Sequence, residues 1–204
     1  MARPNSLAWE MAKRCGRYIL RKPRVAQRFD MQPPVDTITL RADSDHAGCI
    51  RARRSSSGLA AFHGRHLVKA ASTTQTVIAM SSGESEFYAI VRGVATALGF
   101  KSMALDYGVV VKIVIETDSV AGRGMSLRLG AGKVRHVETQ WLWVQGVSHR
   151  KEATIRKIPG ATNEADLMTK FLDGLKITGV MTKMGFQFVS GRSGLALRAA
   201  LDTG

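Results

Sequence analysis

The sequence is poor in cysteine and in acidic residues, and it contains no long apolar run. Its 204 residues include two cysteines, Cys15 and Cys49, without the Cys-x-x-Cys spacing of zinc and redox motifs. No disulfide framework or zinc site is implied, and the chain suits a reducing compartment, the cytoplasm or the nucleus. No run approaches the ~20 apolar residues of a membrane span, and the N-terminus lacks the apolar core of a secretory signal. We therefore expect an intracellular protein that is neither secreted nor held in a membrane.

Acidic residues are the scarcer charge. Asp and Glu together number 16 against 30 Lys and Arg, which gives a formal net charge of +14. A protein this basic is attracted to polyanions, and nucleic acid is the first candidate. The alternative is a basic surface without a partner. Clustering of the basic residues favours a binding groove, since they gather in two segments: Lys13, Arg14, Arg17, Arg21, Lys22, Arg24 and then Arg51, Arg53, Arg54.

Hydrophobic periodicity predicts a basic helix followed by an α/β domain. Residues 109–115 form a nearly continuous β-branched run, which is typical of a strand buried on both faces. Three strands before the first long helix predict a mixed sheet with helices on both faces. The expected elements are a helix over 6–21 capped by Asn5 or Ser6, strands over 37–43, 59–62 and 67–71, a helix over 82–106, a strand over 109–115, helices over 119–130 and 134–151, a strand over 153–159, a helix capped by Asn163, and a short helix over 176–184.

The proline-containing segment 32–35 is stiff and predicts a domain boundary. We expect a basic helix and linker over 1–35 and the α/β domain over 36–174. Residues 175–204 are expected to form a short helix and a flexible tail.

Two carboxylates open the long predicted helix with different expected roles. Ser81 and Glu84 have the Ser-x-x-Glu spacing of a capping box, in which Glu84 accepts a hydrogen bond from the Ser81 N–H. Glu86 has no such role, and it lies one turn into a segment whose apolar residues recur at helical spacing. A carboxylate beside a core stripe is either an edge residue in water or part of a site.

Four acids stand at the ends of predicted elements: Asp43, Glu86, Asp118 and Asp166. Sites in α/β sheets gather at the carboxyl ends of strands, where Asp43 and Asp118 are placed. Each acid also has a structural alternative. Asp118 can cap the next helix, Asp166 can stabilise a helix N-terminus, and Asp43 can be a turn residue beside Asp45.

Several carboxylates in a basic protein suit metal-assisted phosphodiester cleavage. Mg²⁺ is a hard ion that takes oxygen ligands, and two such ions about 4 Å apart can stabilise the attacking and leaving oxygens of a displacement. Without cations, four close carboxylates repel each other and the phosphate. The cluster therefore makes sense only with divalent cations bound.

The motifs, taken in order, resemble the ribonuclease H domain at the C-terminal end of copia-type retrotransposon polyproteins, over about residues 36–172. Residues 3–28 also resemble the segment that joins the reverse transcriptase to that domain. The matching motifs are Asp43-Ser44-Asp45-His46-Ala47-Gly48, Arg53-Arg54-Ser55-Ser56-Ser57-Gly58, Ser81-Ser82-Gly83-Glu84-Ser85-Glu86-Phe87-Tyr88-Ala89, Glu116-Thr117-Asp118-Ser119, Arg135-His136-Val137-Glu138, Ile158-Pro159-Gly160 and Asn163-Glu164-Ala165-Asp166-Leu167-Met168-Thr169-Lys170.

The resemblance implies a ribonuclease H-like α/β fold, a mixed five-stranded sheet with helices on both faces. By motif position it also implies a site for two Mg²⁺ ions, with Mn²⁺ as the alternative, whose catalytic ligands are Asp43, Glu86, Asp118 and Asp166. Two residues depart from the family pattern: His46 stands where Trp is usual, and Glu138 where Asp is usual. Neither is a metal ligand in this interpretation.

We interpret the chain as an endoribonuclease that hydrolyses the RNA strand of RNA–DNA hybrids, a fragment that works with the rest of a reverse transcriptase polyprotein. Arg51, Arg53 and Arg54 are expected to contact phosphates, which position a duplex without reading its sequence. His136 either positions substrate or is a satisfied structural histidine. Trp141 and Trp143 are expected to pack rather than to stack on bases. The alternative function is a catalytically inactive, nucleic-acid-binding remnant of such a polyprotein.

Overall fold

The structure, a computed structural model, describes residues 5–22, 24–132 and 134–191. The chain divides into two compact units, one of residues 1–29 with 181–204 and one of residues 30–180. The domain boundaries derived from the sequence remain predictions, and the part of the expected tail over 192–204 lies outside the described residues. Among the described residues, no helix combines the length and apolarity that crossing a membrane requires.

The described elements follow one another as helices, strands and short 3₁₀ turns. They are α1 (Ser6–Arg21), β1 (Val25–Gln27), β2 (Thr37–Ser44), β3 (Ser56–His63), β4 (His66–Thr74), α2 (Ser82–Asp106), β5 (Lys112–Thr117), α3 (Val120–Leu127), a 3₁₀ turn (Thr139–Trp141), α4 (Trp143–His149), β6 (Thr154–Lys157), 3₁₀ turns (Gly160–Thr162 and Glu164–Met168), α5 (Gly174–Lys183) and β7 (Phe186–Phe188).

The unit formed by the chain ends contains α1 and a small antiparallel sheet. Asn5 caps α1 as predicted, because its side chain accepts a hydrogen bond of 2.8 Å from the Ala8 N–H. None of the residues of α1 is buried. Strands β1 and β7 pair antiparallel, with Val25 opposite Phe188. Sequence periodicity missed this sheet because three-residue strands are too short to show alternation.

The larger unit is built on a five-stranded sheet in the order β4-β3-β2-β5-β6. The pairs β2–β3 and β3–β4 are antiparallel, whereas β5 runs parallel to both β2 and β6. The predicted mixed sheet is confirmed. Because β2 and β5 are parallel neighbours, their carboxyl ends lie at the same edge of the sheet.

Helix α2 covers one face of this sheet and forms the core with it. A Cβ added at Gly93 would lie 3.0 Å from Leu40 and close to Leu59 and Ala42. Those three side chains therefore face the helix, and they are buried together with Phe87 and other apolar residues of α2. The predicted boundaries of α2, 82 and 106, are confirmed.

The opposite face carries ion pairs and the 3₁₀ turn Glu164–Met168. Arg41 of β2 donates from Nε to Glu116 of β5 over 2.7 Å and from Nη1 to Glu164. Arg156 of β6 donates to the other oxygen of Glu116 over 2.8 Å. Burial by itself would raise the pKa of Glu116, but the two guanidinium groups outweigh it and hold that pKa below its usual value. With α2 on one face and this turn on the other, helical segments cover both faces as expected.

The strands predicted over 59–62 and 67–71 are longer in the structure, as β3 and β4. Three further predicted elements differ from the structure. Strand β5 begins at Lys112, which pairs with Thr37, so Val110 stays 75% exposed and the strand continues to Thr117. The helix expected over 134–151 is reduced to a 3₁₀ turn followed by α4. The helix expected after Asn163 is a 3₁₀ turn, in which the Thr169 N–H bonds to the Asp166 carbonyl three residues back. For β5, pairing with Thr37 sets the start of the strand and overrides the local β-branched pattern.

The 3₁₀ turn approaches β3 so closely that only glycine fits between them. A Cβ at Gly58 would lie 2.7 Å from the Ala165 carbonyl oxygen and under 3 Å from Met168 and Thr169. We expect Gly58→Ala to lower the free energy of unfolding by about 1–3 kcal/mol, the usual range for an overpacked site. Urea denaturation would measure the change.

The matched control is Gly99→Ala in α2, where an added Cβ meets nothing within 4 Å. Because alanine is the better helix former, this control should gain about 0.5–1 kcal/mol. A Gly58→Ala protein as stable as the wild type would show that the turn does not depend on this contact.

Candidate metal centre

Three of the four predicted acids converge at one edge of the sheet. Asp43 lies near the end of β2, Asp118 directly follows β5, and Glu86 stands in the first turns of α2. One carboxylate oxygen of each lies within 4.8 Å of the others. This is the arrangement that the parallel strand ends predicted.

Burial and nearby charges disfavour the charged forms of Asp43 and Glu86. Burial raises the pKa of Asp43, which is 1% exposed, above its usual value despite the nearby Thr169 and Lys170. Burial, followed by the charges of Asp43 and Asp118, raises the pKa of Glu86 to about 8. Within the described parts of the chain, the buried Glu86 Oε2 has no hydrogen-bond partner. A buried carboxylate oxygen without a donor is the position a cation would satisfy.

Asp166 joins the group through a lysine rather than directly. The Lys170 ammonium lies 2.8 Å from Asp166 Oδ1 and 3.3 Å from Asp43 Oδ1, so it bridges the two carboxylates. Burial would lower the pKa of Lys170, but the two carboxylates raise it above its usual value. The Thr169 hydroxyl donates to the second oxygen of Asp43. The sequence analysis did not predict the ion pairs of Lys170 or the hydrogen bond of Thr169. The spacing of four residues between Asp166 and Lys170 was a signal for the first of them.

Neighbouring residues fill the structural alternatives of Asp118 and Asp43, whereas Asp166 does stand in the first turn of the 3₁₀ segment Glu164–Met168. Ser119 caps α3 by accepting a 3.0 Å hydrogen bond from the Gly122 N–H, which leaves Asp118 outside the cap. Asp45 accepts from the Ser56 N–H and thereby closes the turn after β2. Asp43 is therefore released from the turn role that Asp45 performs.

Close backbone approaches hold Glu86 and Asp118 in place. A Cβ added at Gly160 would lie 2.8 Å from Asp118 Oδ2, and one added at Gly122 would lie 2.9 Å from the Cβ of Glu86. Gly160 sits against the Asp118 carboxylate and Gly122 against the Cβ and backbone of Glu86, with no room for a side chain at either glycine. The site is thus enclosed by the start of α3 and by the 3₁₀ turn after β6.

Glu84 has a structural role, but its partner differs from the predicted one. Ser81 accepts from the Glu84 N–H as expected, whereas the Glu84 carboxylate accepts from the Met80 N–H, one residue before the cap. Glu84 also accepts from the Tyr88 hydroxyl and pairs with His136 Nε2 over 2.8 Å. Burial would raise the pKa of Glu84, but these partners hold it below its usual value. His136 is therefore placed against Glu84, and its role in binding nucleic acid remains a prediction.

The three arginines proposed for phosphate contacts lie on the loop between β2 and β3. Arg51, Arg53 and Arg54 are all exposed. The loop covers residues 45–55, between the end of β2 and the start of β3. Of the carboxylates, Asp43 lies on β2 two residues before this loop, and the binding role of the arginines remains a prediction.

The donor set fits a hard divalent cation. It consists of carboxylate oxygens alone, which Mg²⁺ prefers, and one buried oxygen lacks a partner among the described residues. Asp43, Glu86 and Asp118 are the residues that would hold such an ion. Asp166 stands beside them across the Lys170 ammonium.

Comparison with known proteins finds similarity in structure and not in sequence. No family model and no curated protein matches the sequence. A ribonuclease H1, LC11, isolated from compost by a metagenomic approach is similar with a TM-score of 0.50 at 13% identity, over 66% of this chain and 93% of that one. The N-terminal ribonuclease H domain of Mycobacterium tuberculosis rv2228c, a fusion with maltose-binding protein, has a TM-score of 0.46 at 14% identity, over 72% and 96%.

At such identity the likeness shows the fold alone, and the fold is ribonuclease H-like. The predicted fold class is thereby confirmed. The resemblance to copia-type polyproteins remains a prediction.

The raised pKa of Glu86 predicts a dependence of stability on pH in the metal-free protein. Between the ordinary value of 4.5 and about 8, the folded state binds more protons than the unfolded state. The free energy of unfolding should therefore fall as pH rises through this window, by at most about 1.4 kcal/mol per pH unit from Glu86. Urea denaturation in EDTA at several pH values measures this dependence. The free energy of unfolding of Glu86→Gln should change less with pH than that of the wild type. Glu152→Gln, the same change in a surface ion pair with Arg150, should keep the wild-type slope in this window.

The carboxylate cluster also predicts a response to Mg²⁺. Removing one charge relieves repulsion, so Asp118→Asn should melt at a higher temperature than the wild type in EDTA. Mg²⁺ at a hundred times its Kd should stabilise the wild type by about 2.7 kcal/mol. It should stabilise Asp118→Asn much less, because this variant has lost a ligand. Asp106→Asn, at the exposed end of α2, should respond to Mg²⁺ as the wild type does. If Asp118→Asn melted at a lower temperature than the wild type and Mg²⁺ stabilised both proteins equally, the acids would not share one site.

Proposed function

We propose that the protein is a metal-dependent endoribonuclease that hydrolyses the RNA strand of RNA–DNA hybrids. The observation that carries this proposal is the convergence of Asp43, Glu86 and Asp118 at one edge of a ribonuclease H-like sheet. The unpartnered oxygen and raised pKa of Glu86 support a cation there. Cleavage of a phosphodiester is the reaction that best joins a carboxylate cation site to a chain of net charge +14.

The four acids would hold two Mg²⁺ ions, or Mn²⁺ in their place. When bound, such ions lower the pKa of water and stabilise negative charge on the attacking and leaving oxygens. The Thr169 hydroxyl orients Asp43 through its hydrogen bond. The Lys170 ammonium supplies positive charge between Asp43 and Asp166, and it is placed to offset the charge of a phosphate at the same edge of the sheet.

Substrate choice in this proposal depends on shape and charge. The 2′-hydroxyl distinguishes RNA from DNA across a shallow minor groove. The exposed Arg51, Arg53 and Arg54 contact phosphates and set the position of the duplex. The resemblance to copia-type polyproteins supports a hybrid as the substrate and a reverse transcriptase as the partner. In this assignment residues 36–174 are the nuclease domain and residues 1–35 come from the connection to the polymerase.

A cleavage assay tests the proposal with two neighbouring carboxylates of one helix. A labelled RNA–DNA hybrid should be cut with Mg²⁺ and left intact with EDTA. Glu86→Gln should lower the rate by at least about a hundredfold, the scale of losing one group that stabilises transition-state charge. Glu84→Gln is the matched control: its carboxylate contacts Met80, Tyr88 and His136, and cleavage should persist.

The assay also separates this function from its alternative. A wild-type protein that binds the hybrid and never cuts it would support the inactive remnant. If Glu84→Gln lost cleavage and Glu86→Gln kept it, Glu84 would be the metal ligand instead.

A further inference from the structure

The Lys170 ammonium lies between two of the four acids assigned to the candidate metal centre. Its Nζ is 2.8 Å from Asp166 Oδ1 and 3.3 Å from Asp43 Oδ1. The side chains of these two acids are 12% and 1% exposed, so water screens their charges little. A positive charge therefore already stands at the position where a cation shared by Asp43 and Asp166 would bind.

The local backbone fixes the position of this ammonium. The Lys170 N–H donates to the Asp166 carbonyl over 2.9 Å, which closes one helical turn. Side chains four residues apart in such a turn lie on the same side and contact each other. The Thr169 hydroxyl donates to the second oxygen of Asp43 and holds the turn against β2. The bridge is thus set by the fold of the turn and not by a chance contact at the surface.

The acids divide into a group of three and a bridged pair. Asp43, Glu86 and Asp118 each offer one oxygen within 4.8 Å of the others, and this group of possible ligands does not include Asp166 in the described part of the chain. Glu86 Oε2 has no hydrogen-bond partner among the described residues. The oxygens of Asp43 and Asp166 that face Lys170, in contrast, already share a cation.

A divalent ion on Asp166 and the ammonium would exclude each other. Mg²⁺ bonds its oxygen ligands at about 2.1 Å, so an ion on Asp166 Oδ1 would stand within about 5 Å of the ammonium. Two cations this close repel strongly where water is scarce. The Lys170 side chain is 43% exposed and lines a cavity of about 370 Å³ together with Cys49 and Phe171. It therefore has room to move away when a second ion binds.

We propose that Lys170 is a built-in counter-ion that takes the place of the second divalent cation in the free protein. This role rests on the proposed function, because it concerns occupation of the same site. The free protein then binds one ion, at Asp43, Glu86 and Asp118, and a second ion binds only after the ammonium has been displaced. Cleavage would consequently need a higher concentration of Mg²⁺ than the concentration that fills the first position.

Calorimetric titration with Mn²⁺, without nucleic acid, tests the counter-ion role. The wild type should bind one ion tightly and a second only weakly. Lys170→Met keeps the apolar stem and removes the charge, so it should bind the second ion about tenfold more tightly, within the range typical of coupled sites. Lys170→Arg keeps the charge and should behave as the wild type does. The matched control is Lys112→Met, which removes an ammonium from the exposed pair with Asp36 at the start of β5.

A second substitution locates the additional ion. Asp166→Asn, added to Lys170→Met, should abolish the gain, because the second ion loses a ligand. If Lys170→Met does not fold, Lys170→Gln, whose amide still donates to a carboxylate, is titrated in its place. The proposal is overturned if the wild type binds two ions with similar affinity or if the Lys170 variant binds them as the wild type does. It is also overturned if loss of Lys170 tightens both ions equally, since that would be a general effect of charge.

These titrations separate the counter-ion role from the proposed reaction. A protein that binds ions as expected and never cuts an RNA–DNA hybrid would keep the role of Lys170 and contradict the proposed function. A protein that cuts the hybrid and binds two ions equally well without it would contradict the role of Lys170 alone.

Discussion

Repulsion among neighbouring carboxylates is the main constraint on the larger unit. Asp43, Glu86 and Asp118 come from three different elements and have oxygens within 4.8 Å of one another. Like charges this close disfavour the folded state unless protons or cations neutralise them. The parallel pairing of β2 with β5 and the packing of α2 across both strands keep the group together in spite of this.

The face of the sheet away from α2 carries attractive ion pairs. Arg41 and Arg156 flank Glu116 across three neighbouring strands, and Arg41 also reaches Glu164. The Asn163 side chain donates to the Ala42 carbonyl and ties the same turn to β2. Paired charges of this kind help to fix one arrangement of the turn. Because Asp166 follows Glu164 by two residues, these contacts position it at the edge of the sheet where Asp43 lies.

The outline of this unit could be predicted from the sequence because it depends on long periodic segments. The apolar repeat after Ser81 identified α2, and the alternating and β-branched runs placed Asp43 and Asp118 at strand ends. Shorter features could not be predicted, since tertiary contacts decide them.

The start of β5 depends on pairing with Thr37, and the turn before Thr169 depends on contacts across the sheet. The bridge from Lys170 to Asp43 joins residues 127 positions apart, a separation that no local pattern reveals.

The outermost position of β4 has a consequence for association between chains. A nine-residue edge strand exposes a row of backbone groups to which another extended chain can add. Two features of β4 oppose such strand addition. The register with β3 shifts between Ala61 and Phe62, which twists the strand, and the charged Lys69 lies exposed on it. The Ser72 hydroxyl also bonds to the Met168 carbonyl over 2.7 Å. The turn that carries Asp166 is therefore fastened to the edge strand β4 as well as to β2 and β3.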